Sequence, residues 1–114
     1  MPYIAVNTSL KLTGEQKEKI KAEFGRLITI IPTKTEAGLL VDFADDRTMY
    51  RAGEAVPSAF IEIRLFHKSE LEPKKKFTEE VFQMLNRELG IEIPRIYLSF
   101  LEFENWGTGG TLKS

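Results

Sequence analysis

Apolar positions recur along this chain at two periods, and the switches between them mark out its elements. Tyr3, Ala5 and Asn7 alternate with Ile4, Val6 and Thr8, and both sets carry apolar groups. That predicts a largely buried strand over about residues 2–8. The period then lengthens. Ile20, Phe24, Leu27, Ile28 and Ile31 recur at helical spacing, with Lys17, Glu18, Lys21 and Glu23 opposite them. Thr13-Gly14-Glu15-Gln16 ahead of this stripe fits a capping box, and Pro32 predicts the helix end nearby. Gly38 to Ala44, GLLVDFA, reads as a second strand. Asp45 to Pro57 reads as a long polar connection with room for one short strand around Met49-Tyr50.

The second half repeats the order. Ala59, Ile61, Ile63 and Leu65 alternate with Phe60, Glu62, Arg64 and Phe66, which predicts a third strand. A second helix is expected over about residues 73–89, with Pro73 in its first turn. Phe77, Val81, Leu85 and Leu89 form its apolar stripe, and Gly90 suits its C-cap. Arg95 to Phe103, RIYLSFLEF, is the fourth strand. PYIAV at 2–6 lines up with AFIEI at 59–63, and a helix follows each, so the chain reads as a weak internal duplication. The expected fold class is therefore α+β: a single domain over residues 1–114, with duplicated β-α-β units forming a four-stranded sheet. Right-handed crossovers place both helices on one face. The other face carries Tyr3, Phe60, Phe66 and Tyr97, and an exposed apolar face of that kind predicts self-association.

Composition narrows the chemistry. At 114 residues, 42% hydrophobic and 29% charged, the chain falls within the globular range. Sixteen Lys and Arg against seventeen Asp and Glu leave a net charge of -1, so no overall basic excess points to nucleic acid or to a membrane surface. The chain has no cysteine, which excludes disulfides, thiolate nucleophiles and cysteine-ligated zinc. Its one histidine, His67, excludes a multi-histidine metal site, and no metal is expected. MPYIAVNTSLKLT lacks the charged start and apolar run of a signal peptide, which makes a cytoplasmic protein the expectation. Lys74-Lys75-Lys76 reads as a solvated helix face, Asp45-Asp46 as turn chemistry, and His67 as a structural or exposed strand end.

Pro2 is the residue that bears most on function. Removal of Met1 would leave it with a terminal secondary amine. An ordinary terminal amine has a pKa near 8. An apolar site or a nearby cation would bring it toward neutrality, where it serves as a general base. The plainer alternative is a proline that merely begins a strand.

The opening MPYIAVNTSL resembles the tautomerase superfamily, in the branch of macrophage migration inhibitory factor and phenylpyruvate tautomerases. Asp46 to Ala59, DRTMYRAGEAVPSA, Arg95-Ile96-Tyr97 and the terminal WGTGGT resemble further segments of that family in the same order. The resemblance covers essentially the whole chain. It implies a homotrimer whose sheets face inward and whose active sites lie between subunits. It implies that Pro2 is the catalytic base, that Lys34 binds a substrate carboxylate, and that Phe66 lines the pocket. Tyr97, which the resemblance assigns to the neighbouring subunit's contribution, and Trp106 complete an aromatic pocket. Ser99 stands where the prototype has asparagine, and Trp106-Gly107 reverses the family's Gly-Trp order. The implied activity is cofactor-independent keto–enol tautomerisation of a small aromatic 2-keto acid such as phenylpyruvate. Two alternatives stay open. One is a cytokine-like binding protein with a vestigial pocket, released without a signal peptide and engaging an unknown protein receptor. The other is a proline-dependent hydratase, dehalogenase or decarboxylase, for which Arg51, Arg64 and Glu62 would have to come together.

Overall fold

Every residue from Met1 to Ser114 is described by the structure, a computed structural model. The first strand, β1, spans Pro2–Thr8. Helix α1 spans Gly14–Leu27 and opens on the capping box: Gln16 N–H donates to Thr13 Oγ1 at 3.1 Å, and Thr13 N–H donates to Gln16 Oε1 at 2.9 Å. The helix stops short of Pro32 because its last turn tightens into a 3₁₀ turn over Ile28–Ile30. A second 3₁₀ turn takes Glu36–Gly38, so β2 begins two residues later than expected, at Leu40–Ala44. Met49-Tyr50 forms no strand. The local pairing is instead Arg51 with Glu54 across Ala52-Gly53, both at positive φ.

Strand β3 spans Ala59–Phe66, and helix α2 spans Leu71–Leu89. Pro73 falls within the first turn, where a helix has no acceptor for its N–H groups, so the helix starts ahead of it. Gly90 closes α2 in the left-handed conformation, at φ 69°. Lys74 leaves the solvated face assigned to the lysine run: its Nζ donates to Glu102 Oε1 at 2.9 Å. Strand β4 spans Ile96–Phe103. Two further strands, β5 (Trp106–Thr108) and β6 (Thr111–Lys113), form a hairpin that the hydrophobic pattern does not announce. Gly109 and Gly110 take its turn at φ 60° and 84°.

The main sheet runs β2-β1-β3-β4. The outer pairs are parallel and the central β1–β3 pair antiparallel, as two β-α-β units side by side require. One face packs on both helices. Ile4, Val6, Ile61, Ile63 and Leu65 meet Ile20, Phe24 and Leu27 of α1 and Phe77, Val81, Met84 and Leu85 of α2. Each such side chain, fully buried, contributes about 1.5–3 kcal/mol. Met84 takes the buried place expected of Leu89, which is half-buried.

The other face has no cover. Its rows follow from the register: Leu40, Tyr3, Arg64 and Leu101 lie side by side, then Asp42, Ala5, Glu62 and Ser99, then Ala44, Asn7, Phe60 and Tyr97. Leu40, Phe60, Tyr97 and Leu101 are all exposed. Polar groups among them are tied to one another. Tyr3 Oη donates to Asp42 Oδ2 at 2.8 Å and Asn7 Nδ2 to Glu62 Oε2 at 3.0 Å.

Candidate active site

Pro2 is buried at the head of β1, paired with Leu65 of β3. Because side chains alternate along a strand, the residues flanking Leu65 stand on the open face to either side of this row. Phe66 is one of them and Arg64 the other. Two cavities meet there. One, of about 660 Å³, is lined by Met1, Pro2, Tyr3, Arg64, Phe103 and Trp106, together with the chain around Gly38 and the start of the hairpin. The other, of about 340 Å³, is lined by Met1, Lys34, Phe66, His67 and Lys68 among others. Met1 lines both and is the residue they share.

Lys34 lies in the loop that follows α1. Its backbone N–H donates to Ile31 O at 3.2 Å, which turns the side chain inward after Thr33, itself at φ 70°. The side chain runs under the end of β3, and Nζ donates to Phe66 O at 2.9 Å. Only 8% of the residue is exposed. Burial holds the ammonium below its usual pKa, against the opposing charge of Glu102. An ammonium has three donors. One is spent on Phe66, and two are left for a ligand. The Met1 amine is likewise held below its ordinary value, first by burial and then by the charge of Lys34. With Met1 in place the Pro2 nitrogen is an amide and has no basicity.

An aromatic group surrounds this junction. Trp106 reaches it from the hairpin, half-buried, with its ring centroid 6.5 Å from Phe66 and 6.2 Å from Phe103. His67 is exposed and at φ 71°, its N–H donating to Phe103 O at 2.7 Å. Its ring lies 3.8 Å from that of Phe66. The bond to Phe103 ends β3 in a sharp turn beside the carbonyl that Lys34 holds.

The structure thus brings Pro2 together with Trp106 in one cavity and Lys34 with Phe66 in the adjoining one. Tyr97 and Ser99 stand apart from both, on the open face of the edge strand β4, opposite Phe60 and Glu62. Arg51 does not join Arg64. It sits in the connection that follows β2, where Asp46 and Arg47 bond Leu10 and Thr8 at the far end of β1, whereas Arg64 faces Tyr3 near its head. Glu62 is engaged by Asn7. An arginine pair with an acidic partner is therefore not assembled within one chain. Tyr3, Phe103 and Met1 line the site without being singled out by the sequence pattern. The signal for Tyr3 and Arg64 lies in the strand register, since they face each other next to Pro2.

A family model described as Macrophage migration inhibitory factor (MIF) matches residues 1–112. No curated protein sequence matches the chain significantly. Among solved structures, the chain is similar to Leishmania major MIF2, with a TM-score of 0.93 and 21% identity over 99% of this chain and 97% of that one. It is also similar to the macrophage migration inhibitory factor-like protein of Entamoeba histolytica, with a TM-score of 0.86 and 24% identity over 98% of each chain. A third similar structure is Pt0534 inactivated by 2-oxo-3-pentynoate, with a TM-score of 0.85 and 15% identity over 95% of this chain and 93% of that one. At these identities the likeness is one of fold.

Proposed function

The chain belongs to the macrophage migration inhibitory factor family, and from that premise we propose that it is a cofactor-independent keto–enol tautomerase of phenylpyruvate-like 2-keto acids. Pro2 is the general base once Met1 is removed. The observation that carries this reading is the place of Pro2, buried in the wall of an aromatic-walled cavity and next in sequence to Met1, which also lines the lysine-bearing one. Loss of Met1 frees the Pro2 nitrogen and removes the residue that the two spaces share.

The chemistry follows from the groups present. The substrate carboxylate pairs with the free donors of Lys34. The neutral Pro2 amine takes a proton from the carbon next to the carbonyl. The C–H electron pair becomes the new C=C bond, and the carbonyl pair moves onto oxygen. Pro2 then returns the proton to that oxygen, and the reverse sequence restores the keto form. Lys34 also favours the negative charge that develops on oxygen. The two causes that lower the Met1 amine, burial and the charge of Lys34, act on an amine one residue further in. A secondary amine held down by these two causes has a larger neutral fraction near pH 7 than it would have without them, and the neutral form is the general base. Phe66, Phe103 and Trp106 supply flat apolar walls for an aromatic ring. The similar fold of Pt0534, a protein inactivated by a 2-oxo acid, supports a site of this architecture that admits such acids.

The uncovered sheet face supports a homotrimer in which a neighbour's edge strand supplies Tyr97 and Ser99 to each site. The test joins intact mass to activity. Protein from its native host is weighed, then assayed for phenylpyruvate tautomerisation beside Pro2→Gly. The expected result is loss of Met1 and a rate that falls by about 10²–10⁴ in the variant. A retained Met1, or a processed protein inactive on aromatic keto acids, would leave a binding protein with a vestigial pocket.

A further inference from the structure

The larger cavity at Pro2 contains a single charged side chain, that of Arg64. Within its own chain no carboxylate lies within ion-pairing distance of its guanidinium. Neighbouring acids are otherwise engaged: Asp42 accepts from Tyr3 Oη, and Glu62 from Asn7 Nδ2. What holds Arg64 is the Tyr3 ring, with its guanidinium carbon 5.4 Å from the ring centroid. A contact with the ring face uses none of the fork's N–H donors. The other side chains of its wall are apolar, Met1, Pro2, Phe103 and Trp106 among them, or neutral and polar, as Asn105 and Thr108 are. An arginine without a carboxylate partner in such a space is arranged to receive an anion, and its fork geometry suits a carboxylate held through two parallel bonds.

A second cation stands across the Pro2 row. Lys34 Nζ lies at the carbonyl of Phe66, two residues from Arg64 along β3, so the strand positions that carry the two cations are roughly 7 Å apart along the backbone. We propose that Arg64 is a specificity-determining residue, and that the site takes a 2-oxo dicarboxylic acid with one carboxylate on Lys34 and the second on Arg64. This deepens the tautomerase reading and rests on it for the word substrate, but the two are separable by experiment. The carbonyl end of such an acid lies at Lys34, and the carbon that exchanges its proton lies between the two cations, at Pro2. An aromatic monocarboxylate fills the walls but leaves Arg64 unpaired.

Trp106 is the only tryptophan in the chain and lines the same cavity, so its fluorescence reports binding without any turnover. The probes are 2-oxoglutarate and 2-oxopentanoate, which share a five-carbon 2-oxo acid and differ in whether the far end is a carboxylate or a methyl group. Both are titrated against the Met1-free protein, Arg64→Gln and Arg64→Lys. Deuterium exchange at the carbon beside the carbonyl is followed by NMR in parallel. The expected result is at least tenfold tighter binding of the dicarboxylate, a preference lost in Arg64→Gln and partly kept in Arg64→Lys. Arg64 is exposed on a strand face, so neither change disturbs the core. Equal affinities for the two probes, or a preference unchanged in Arg64→Gln, would overturn the proposal. A preference that depends on Arg64, with no exchange that Pro2→Gly abolishes, would uphold Arg64 as the selector and remove the tautomerase reading alone.

Discussion

Lys34 makes the site's electrostatics depend on one buried charge. It is nearly enclosed, it holds the Phe66 carbonyl, and its charge is the second of the two causes that lower the neighbouring terminal amine. Lys34→Met removes that cause and leaves burial. The amine pKa then rises, a smaller fraction is neutral at a given pH, and the acid limb of the activity profile moves to higher pH. The same substitution takes away the partner for a substrate carboxylate, so KM for a 2-keto acid rises about tenfold or more. Both effects are read from a pH profile of kcat/KM on Met1-free protein. An acid limb that stays in place while KM rises would confine Lys34 to anchoring. Pro2 and Lys34 could be picked out from the sequence because one is a terminal-amine candidate and both fall on a family pattern. Arg64 could not be placed in the same way. Its meaning depends on which residue it faces across the antiparallel pair, and alternation within one strand assigns a face without assigning a neighbour.

At the scale of elements, what could be read in advance was what depends on local chemistry. The Thr13–Gln16 box starts α1, Gly90 ends α2, and the strict alternation of Ala59–Phe66 gives β3 its two faces. The terminal hairpin was not legible, since its strands have three residues each and cannot display a period. It exists because Gly109 and Gly110 accept positive φ in the two-residue turn. The same dependence makes it testable. Gly110 has open space where a Cβ would lie, but its φ of 84° disfavours any side chain. Gly110→Val therefore costs the hairpin about 1–2 kcal/mol through the backbone alone. The hairpin lies outside the main core, so the thermal midpoint of the whole protein should hardly move. Trp106 emission should shift toward that of exposed indole, and activity should fall with it. A shift in the midpoint as large as that of a core substitution would place the hairpin within the cooperative unit.

The whole molecule has one sheet face packed on two helices and one left open, and its shape reflects that. Its Cα radius of gyration is 14.4 Å, against about 13 Å for a compact chain of this length, and its extents are 42 × 28 × 24 Å. Leu40, Phe60, Tyr97 and Leu101 on the open face are from 37% to 64% exposed, a set that stays wet only if the chain stays alone. Two polar pairs among them, Tyr3 with Asp42 and Asn7 with Glu62, are satisfied and can be buried as they stand, while Arg64 keeps its donors for the cavity at Pro2. If this face is the trimer surface, one charge should break it. Phe60→Glu sets a carboxylate beside Glu62 on the same face, where burial without a partner costs several kcal/mol. The variant should keep its helix content, since Phe60 points away from the core, and should sediment as a monomer at micromolar concentration. On the trimeric reading it should also lose activity, because Tyr97 and Ser99 lie outside both cavities of their own chain and would reach a site only from a neighbouring subunit. A monomer with full activity would show instead that Pro2, Lys34 and the aromatic wall of a single chain suffice. A variant that remains a trimer would move the interface to another surface.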